Sequence, residues 1–239
     1  MKFSIKWTDR LPSTNTFLKE WLELDSQLPS GTVVVTREQT QGKGRRGRVW
    51  LSAANESLTF SIFVRGAAEP QKLPAAAMAA AVSIAELLEK KGVNADLKWP
   101  NDVLVGGKKI CGILSEGASG GIIVGIGLNV NMSSADHIDQ PATSLLMETG
   151  QRHNIDDLLE KLLPILSARL DEWAEGGFSK VRKNWEAKVP TIGKMISVRD
   201  GSAVREGLLA GFGEDGELLL QSKDGSISPV WAGDVAYGP

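Results

Sequence analysis

Apolar positions along the chain fall into blocks of helical and strand spacing. Phe17, Leu18, Trp21 and Leu22 share one helical face, and Ser13 or Thr14 stands where a cap is needed, which predicts a helix over 13–24. After the break at Pro29-Ser30-Gly31, Thr32 to Thr36 carries three consecutive valines and reads as a buried strand. Leu58, Phe60, Ile62 and Val64 alternate with Ser57, Thr59 and Ser61, a period of two that predicts another strand. Pro74 suits the first turn of a helix running through the alanines to Lys91 and stopping at Gly92. Alanine favours the helix, and its small side chain lets a sheet approach closely. Asp96 to Trp99 reads as extended, since the residue before Pro100 avoids helical backbone.

Val103 to Val105 and Lys109 to Glu116 can pair across Gly106-Gly107, a good two-residue turn. Another turn at Gly117 to Gly121 leads to a strand over Ile122 to Val130. Leu158, Leu159, Leu162, Leu163, Leu166, Leu170 and Trp173 predict an amphipathic helix from Asp156 to Glu175, kinked at Pro164. A shorter helix is expected around Lys180 to Lys188. Beyond Pro190, short apolar runs are cut by Arg199-Asp200-Gly201, Glu214-Asp215-Gly216 and Lys223-Asp224-Gly225, which suits a small module of about five strands. The pattern therefore predicts an α+β chain. Residues 1–190 would form a mixed sheet with helices on one face, and residues 191–239 a small β domain.

The 239 residues carry a formal net charge of −2, and 42% are hydrophobic. This is the composition of an ordinary soluble globular protein, without the basic excess of a chain devoted to nucleic acid. Cys111 is the single cysteine, so an internal disulfide or a cysteine metal cluster is excluded, and a reducing cytoplasm fits. The N-terminal residues lack an apolar core of the secretory kind, and the longest apolar stretch, Leu73 to Ala85, is too short to span a bilayer. The two histidines, His137 and His153, sit in polar surroundings, so histidine catalysis or a histidine-bound metal is not expected.

Against this ordinary background, Gln41-Gly42-Lys43-Gly44-Arg45-Arg46-Gly47-Arg48-Val49-Trp50 stands out. Glycines give it backbone freedom, and Arg and Lys give donors that match phosphate or carboxylate oxygens. Such a loop can close over an anion and is expected to be mobile while empty. Its plainer reading is a solvated basic patch. Its glycines have the Gly-x-Gly-x-x-Gly spacing, but a strand signal follows where a dinucleotide fold needs a helix, and it does not match a P-loop. Three further stretches could bind a polar ligand. Ser13-Thr14-Asn15 opens a helix, where backbone N–H groups are free. Lys98-Trp99-Pro100-Asn101-Asp102 puts a lysine at a strand end before a stiff turn. Gly127-Leu128-Asn129-Val130-Asn131 sets two amides on one face of an extended chain. Individually they read as a cap, a solvated lysine and Asx turns. Together they supply anion-binding groups without a nucleophile and base, which suits phosphoryl or nucleotidyl chemistry.

In their order and spacing these stretches resemble the biotin protein ligases, the biotin–[acetyl-CoA-carboxylase] ligases. Supporting elements are Gln39, Gly112-Ile113-Leu114 with Glu116, and Val230-Trp231-Ala232-Gly233-Asp234. The resemblance runs from about Ser13 to the C-terminus. It implies a class II synthetase-like catalytic domain of the biotin/lipoate ligase type and a C-terminal SH3-like β-barrel. It also implies two half-reactions. Biotin and ATP with Mg²⁺ give biotinyl-5′-AMP and pyrophosphate; a lysine of a biotin carboxyl carrier protein then takes the biotinyl group. By position, Ser13, Thr14, Asn15 and Gln39 would line the biotin site, with backbone from Gly112 and Ile113. Lys43, Gly44 and Arg45 would close over biotin and the adenylate. Arg45, Arg46, Arg48, Trp50 and Asn129 would serve the nucleotide, with Trp50 on the adenine. Lys98 and Arg45 would be catalytic. No protein metal cluster is implied, since Mg²⁺ comes with ATP.

The sequence departs from the family pattern twice. Lys43 stands where arginine is more usual, which loses a bidentate fork. Ala53 follows Ser52 where proline is usual, which should loosen the loop's exit. Only about a dozen residues precede Ser13, leaving no room for a winged helix-turn-helix, so DNA binding is not expected; nor, from the shortness of the apolar runs, is a membrane. Many members form homodimers, and the resemblance leaves that open. A lipoate or octanoyl ligase is the nearest rival, and a nucleic-acid-binding module using the basic loop is a more distant one.

Overall fold

The computed structural model describes residues 1–66, 69–136 and 138–237. His137 lies outside the described residues. Seven strands form the path of the large sheet: β1 (Ser4–Leu11), β2 (Thr32–Lys43), β4 (Ser57–Arg65), β5 (Asp96–Lys98), β6 (Asp102–Val105), β7 (Lys108–Ala118) and β8 (Gly121–Asn129). Their order is β1-β2-β4-β8-β7-β6-β5, and a short β3 (Val49–Ser52) pairs with β2 off this path. β1 runs parallel to β2 and the other pairs are antiparallel, so the sheet is mixed as expected.

Successive side chains of β2 face opposite sides of this sheet. Val33 and Val35 join the main core with Phe60 and Ile62, under α2 (Leu73–Glu89), α4 (Ile155–Gly176) and α5 (Phe178–Glu186). Val34 points the other way and packs with Phe63, Ile123 and Leu18 and Leu22 of α1 (Thr14–Leu24). These three helices thus share one face, and α1 covers part of the other. α2 is almost wholly buried because its small alanines let it sit close to the sheet. α4 continues through Pro164, where a kink was expected, and its cap is Asn154. A short helix, α3 (Leu145–Thr149), and the edge strand β1 were not predicted. No helix among the described residues is long and apolar enough to cross a membrane.

The turn at Gly106-Gly107 has positive φ at both residues, as the predicted hairpin requires. After residue 190 come β9 (Met195–Asp200), β10 (Ala203–Phe212), β11 (Leu218–Gln221), β12 (Ile227–Val230) and β13 (Asp234–Tyr237). They form one antiparallel sheet in the order β12-β11-β10-β9-β13. Closure into the expected barrel is not among these pairings. Ile196, Val198, Leu209, Phe212, Leu218 and Leu220 belong to the same buried cluster as the large sheet. The Trp99 indole donates to the Gly216 carbonyl at 2.9 Å, tying the turn after β5 to the small sheet.

The basic stretch is not the open loop that its charge and glycines suggested. β2 continues through Lys43, a single turn spans Arg45–Gly47, and β3 returns alongside, pairing Gly42 with Trp50 and Lys43 with Val49. The β-favouring Val49-Trp50-Leu51 supplies that return strand. The result is a basic hairpin flap.

Candidate active site

Strand register assembles one polar row across the sheet. Thr59 of β4 pairs with Gly127 of β8, Gly127 with Gly112 of β7, Gly112 with Asp102 of β6, and Asp102 with Lys98 of β5. Paired residues of neighbouring strands point to the same side, so this row forms a floor. It lies on the α1 side. The predicted alternation of β4 was correct, yet Ser57, Thr59 and Ser61 do not face water; all three are buried.

Above the floor lies a cavity of about 750 Å³. Its lining includes every predicted site residue except Arg46: Ser13, Thr14, Asn15, Gln39, Lys43, Gly44, Arg45, Arg48, Trp50, Lys98, Gly112, Ile113 and Asn129. Ile113 reaches it through backbone only, for its side chain belongs to the main core. Its N–H donates to the Asn101 carbonyl and its carbonyl accepts from the Asn101 amide, so that backbone is already engaged. Arg46 turns away from the cavity. It occupies a left-handed backbone position, and its guanidinium is held at 2.6 Å by Asp200.

One end of the cavity is a buried polar cluster. Ser61 Oγ lies 2.7 Å from Thr14 Oγ1 and 2.5 Å from Asn15 Oδ1. The Thr14 backbone N–H and hydroxyl both reach Gln39 Oε1, at 2.9 and 3.3 Å. The Asn15 amide donates to the Leu114 carbonyl and to Glu116 Oε2. Ser13 is the cap of α1. The residues that start and cap α1 therefore also line the cavity, because the helix start is brought onto β4. Gly125 makes this possible: a Cβ there would stand 2.1 Å from Asn15 Oδ1.

The other end is charged. Lys98 and Arg45 are mostly buried. Burial pushes the Lys98 ammonium below its ordinary value; Asp102 and Asp234 pull it back up, while Lys109 and Arg48 push it further down. Burial lowers Arg45 too, again against Asp234 and Asp102. Arg45 reaches Asn101 Oδ1 at 3.5 Å, and Lys109 pairs with Asp102 at 2.7 Å. Trp50 lies between the ends, its ring over Gly127 and Gly112, with Lys109 Nζ 5.7 Å from the ring centre. Asn129 donates to the Thr143 carbonyl, whereas Asn131 is exchanged with the backbone of His153 outside the cavity. Burial holds the Cys111 thiol well above its ordinary value, which makes it inert. No group of three His, Cys, Asp or Glu side chains among the described residues could hold a metal ion.

Asp234 and Lys109 line the cavity and were missed as site residues, as was Ser61, which backs the cavity through Thr14 and Asn15. Ser61 looked like one polar position of an alternating strand, Lys109 like part of a hairpin arm, and Asp234 like the end of a distant module. Only the strand register and the fold bring them here.

Such a cavity can hold a ligand with a neutral polar head at one end and anionic groups at the other. A family model described as the biotin/lipoate A/B protein ligase family matches residues 7–133. The biotin–[acetyl-CoA-carboxylase] ligase of Paracoccus denitrificans is 32% identical over 248 residues, covering 96% of this chain and 98% of that protein. The chain belongs to the biotin protein ligase family. The bifunctional ligase/repressor BirA of Bacillus spizizenii is 32% identical over 223 residues, 90% of this chain and 68% of that protein. Among solved structures, the biotin protein ligase from Aquifex aeolicus in complex with biotin and ATP superposes with a TM-score of 0.83 at 32% identity, covering 97% of both chains. These biotin ligase relatives span both sheets, while the family model stops just past the last strand of the large one.

Proposed function

We propose that this chain is an ATP-dependent biotin protein ligase that adenylates biotin and passes it to a lysine of the acetyl-CoA carboxylase carrier. The observation that carries the reading is one cavity lined by Thr14, Asn15 and Gln39 at one end, with Ser61 bonded behind them, and by Lys98 with Arg45 at the other. The cyclic urea of biotin offers two N–H donors and one carbonyl, which suits a cluster of hydroxyls and amides. A biotin held there directs its valeryl carboxylate toward Lys98.

Carboxylate and triphosphate repel one another, and charge-assisted hydrogen bonds of about 1.5–3 kcal/mol each offset that. Lys98, kept charged with the help of Asp102 and Asp234, lies where carboxylate oxygen attacks the α-phosphorus. Arg45 closes over the adenylate from the flap, and Trp50 offers its ring to the adenine. Mg²⁺ enters on the triphosphate, where it spreads phosphate charge. The mixed anhydride hydrolyses readily, so a flap that excludes water preserves it until the carrier lysine attacks. The proposal places the reaction in the cytoplasm, where ATP and the carrier meet.

The test is labelling of a purified carrier domain by the purified chain with biotin, ATP and Mg²⁺, read by mass. One biotinyl group on one lysine is expected. Labelling by lipoate or octanoate in place of biotin would overturn the reading.

A further inference from the structure

The flap touches the small sheet through two ion pairs of different placement. Arg46 meets Asp200 at the end of β9, outside the cavity. Arg48 meets Asp234 at the start of β13, and both of these residues line the cavity. Asp234 pairs across the strands with Arg199, so the two carboxylates sit at the same end of the small sheet. The small sheet itself is fastened to the large one by buried groups, the Trp99–Gly216 hydrogen bond among them. Among the described residues, the flap meets it through these two half-exposed pairs and an Arg46 guanidinium bond to the Arg199 carbonyl at 3.5 Å. Exposed pairs are weak and screened by salt, so they are easily exchanged. An incoming polyphosphate offers Arg48 the same kind of oxygen that Asp234 offers, at higher charge.

We propose that Asp234 is the site's internal counter-anion: it holds Arg48 in the empty protein and yields it to the nucleotide phosphates, while Arg46–Asp200 keeps the flap moored outside the cavity. This rests on the reading of the cavity as a nucleotide site. It gives the small sheet a positioning part in closure, and it makes Asp234 a competitor of the phosphates rather than a ligand of them. The carboxylate also faces Lys98 and Arg45, whose charge it supports while the site is empty.

The test uses the full-length protein and trypsin, which cuts after Lys43, Arg45, Arg46 and Arg48. In the empty protein, Asp234→Asn should raise the rate of cleavage in the flap roughly two- to fivefold, the scale of one half-exposed pair. Its thermal melting should be unchanged. Inorganic triphosphate should bind the Asp234→Asn variant several-fold more tightly than the wild type, since a competing anion has gone. The paired swap Arg48→Asp with Asp234→Arg should restore slow cleavage at the remaining sites, yet bind triphosphate less tightly than Asp234→Asn does, since Arg48 is gone. Asp200→Asn should speed cleavage both with and without triphosphate.

Unchanged cleavage in empty Asp234→Asn would overturn the mooring. Faster cleavage with equal or weaker triphosphate binding would overturn the exchange. A wild type that gains no protection from triphosphate, ATP or biotin would sink the nucleotide reading and the exchange with it; the cleavage of the empty variants would still decide the mooring.

Discussion

Trp50 lies across Gly127 so closely that a Cβ at position 127 would stand 2.4 Å from the indole ring. The ring therefore covers the glycine floor between the polar and charged ends of the cavity. Its Nε1 is buried without a partner among the described residues. Gly127→Ala should push the ring off the floor, at a cost of about 1–3 kcal/mol in stability from overpacking. The KM for ATP should rise about tenfold, the same range expressed as affinity, with the KM for biotin little changed. Steady-state kinetics beside denaturant unfolding checks this. A normal KM for ATP would separate Trp50 from the nucleotide.

Ser61 has no exposed surface and stands between Thr14 and Asn15. Ser61→Ala removes that bridge and leaves buried groups short of a partner, a loss of about 1–3 kcal/mol. The KM for biotin should rise roughly five- to tenfold, a little over 1 kcal/mol of that loss, with the KM for ATP unchanged. A rise in both, or in ATP alone, would place the biotin head elsewhere.

How much of this was legible in the sequence depends on how local each signal is. The start of α1, the Gly106-Gly107 hairpin and the Lys98 turn are written in consecutive residues, and each lies near where the sequence put it. β1 was missed because it is an edge strand, largely exposed, with charged residues among its apolar ones. α3 is too short to show a period. The polar face of β4 was seen but assigned no place, since period two cannot distinguish a face toward water from a face toward a cavity. Arg46 and Arg48 look alike in sequence, yet a left-handed turn at Arg46 sends one outward and leaves the other at the cavity. Asp234 is far from Lys98 along the chain, and only the packing of the small sheet brings it near.

Lys98 titrates below the ordinary lysine value of 10.5 because it is buried. A lowered pKa means the proton is lost earlier as pH rises. The adenylation rate should therefore fall on the alkaline side before pH 10.5, the ordinary value. Lys98→Arg should move that limb to higher pH, whatever it does to the maximum rate. Asp102 and Asp234 both support the charge, so Asp234→Asn should move the limb lower still. A pH profile of kcat/KM decides it, and an alkaline limb unmoved by both changes would mean that it belongs to another group.

Arg45 is the flap residue that reaches Asn101 across the cavity, whereas Lys43 binds Thr16 near the rim. Arg45→Gly should release biotinyl-AMP into solution and label bystander proteins, with adenylate formation less affected than its retention. Mass spectrometry of a bystander such as albumin reads the leak. Selective labelling of the carrier alone would argue against Arg45 as the closing residue.

The central claim is that this cavity activates biotin, with Lys98 at the reacting oxygens. Biotin-dependent exchange of labelled pyrophosphate into ATP measures that step alone, without a carrier. The account predicts exchange driven by biotin and by neither lipoate nor octanoate. It also predicts a loss of about 100-fold or more in Lys98→Ala, the scale of one charge-stabilising group, with the fold intact. Exchange driven by lipoate or octanoate instead of biotin, or a normal rate in Lys98→Ala, would contradict it.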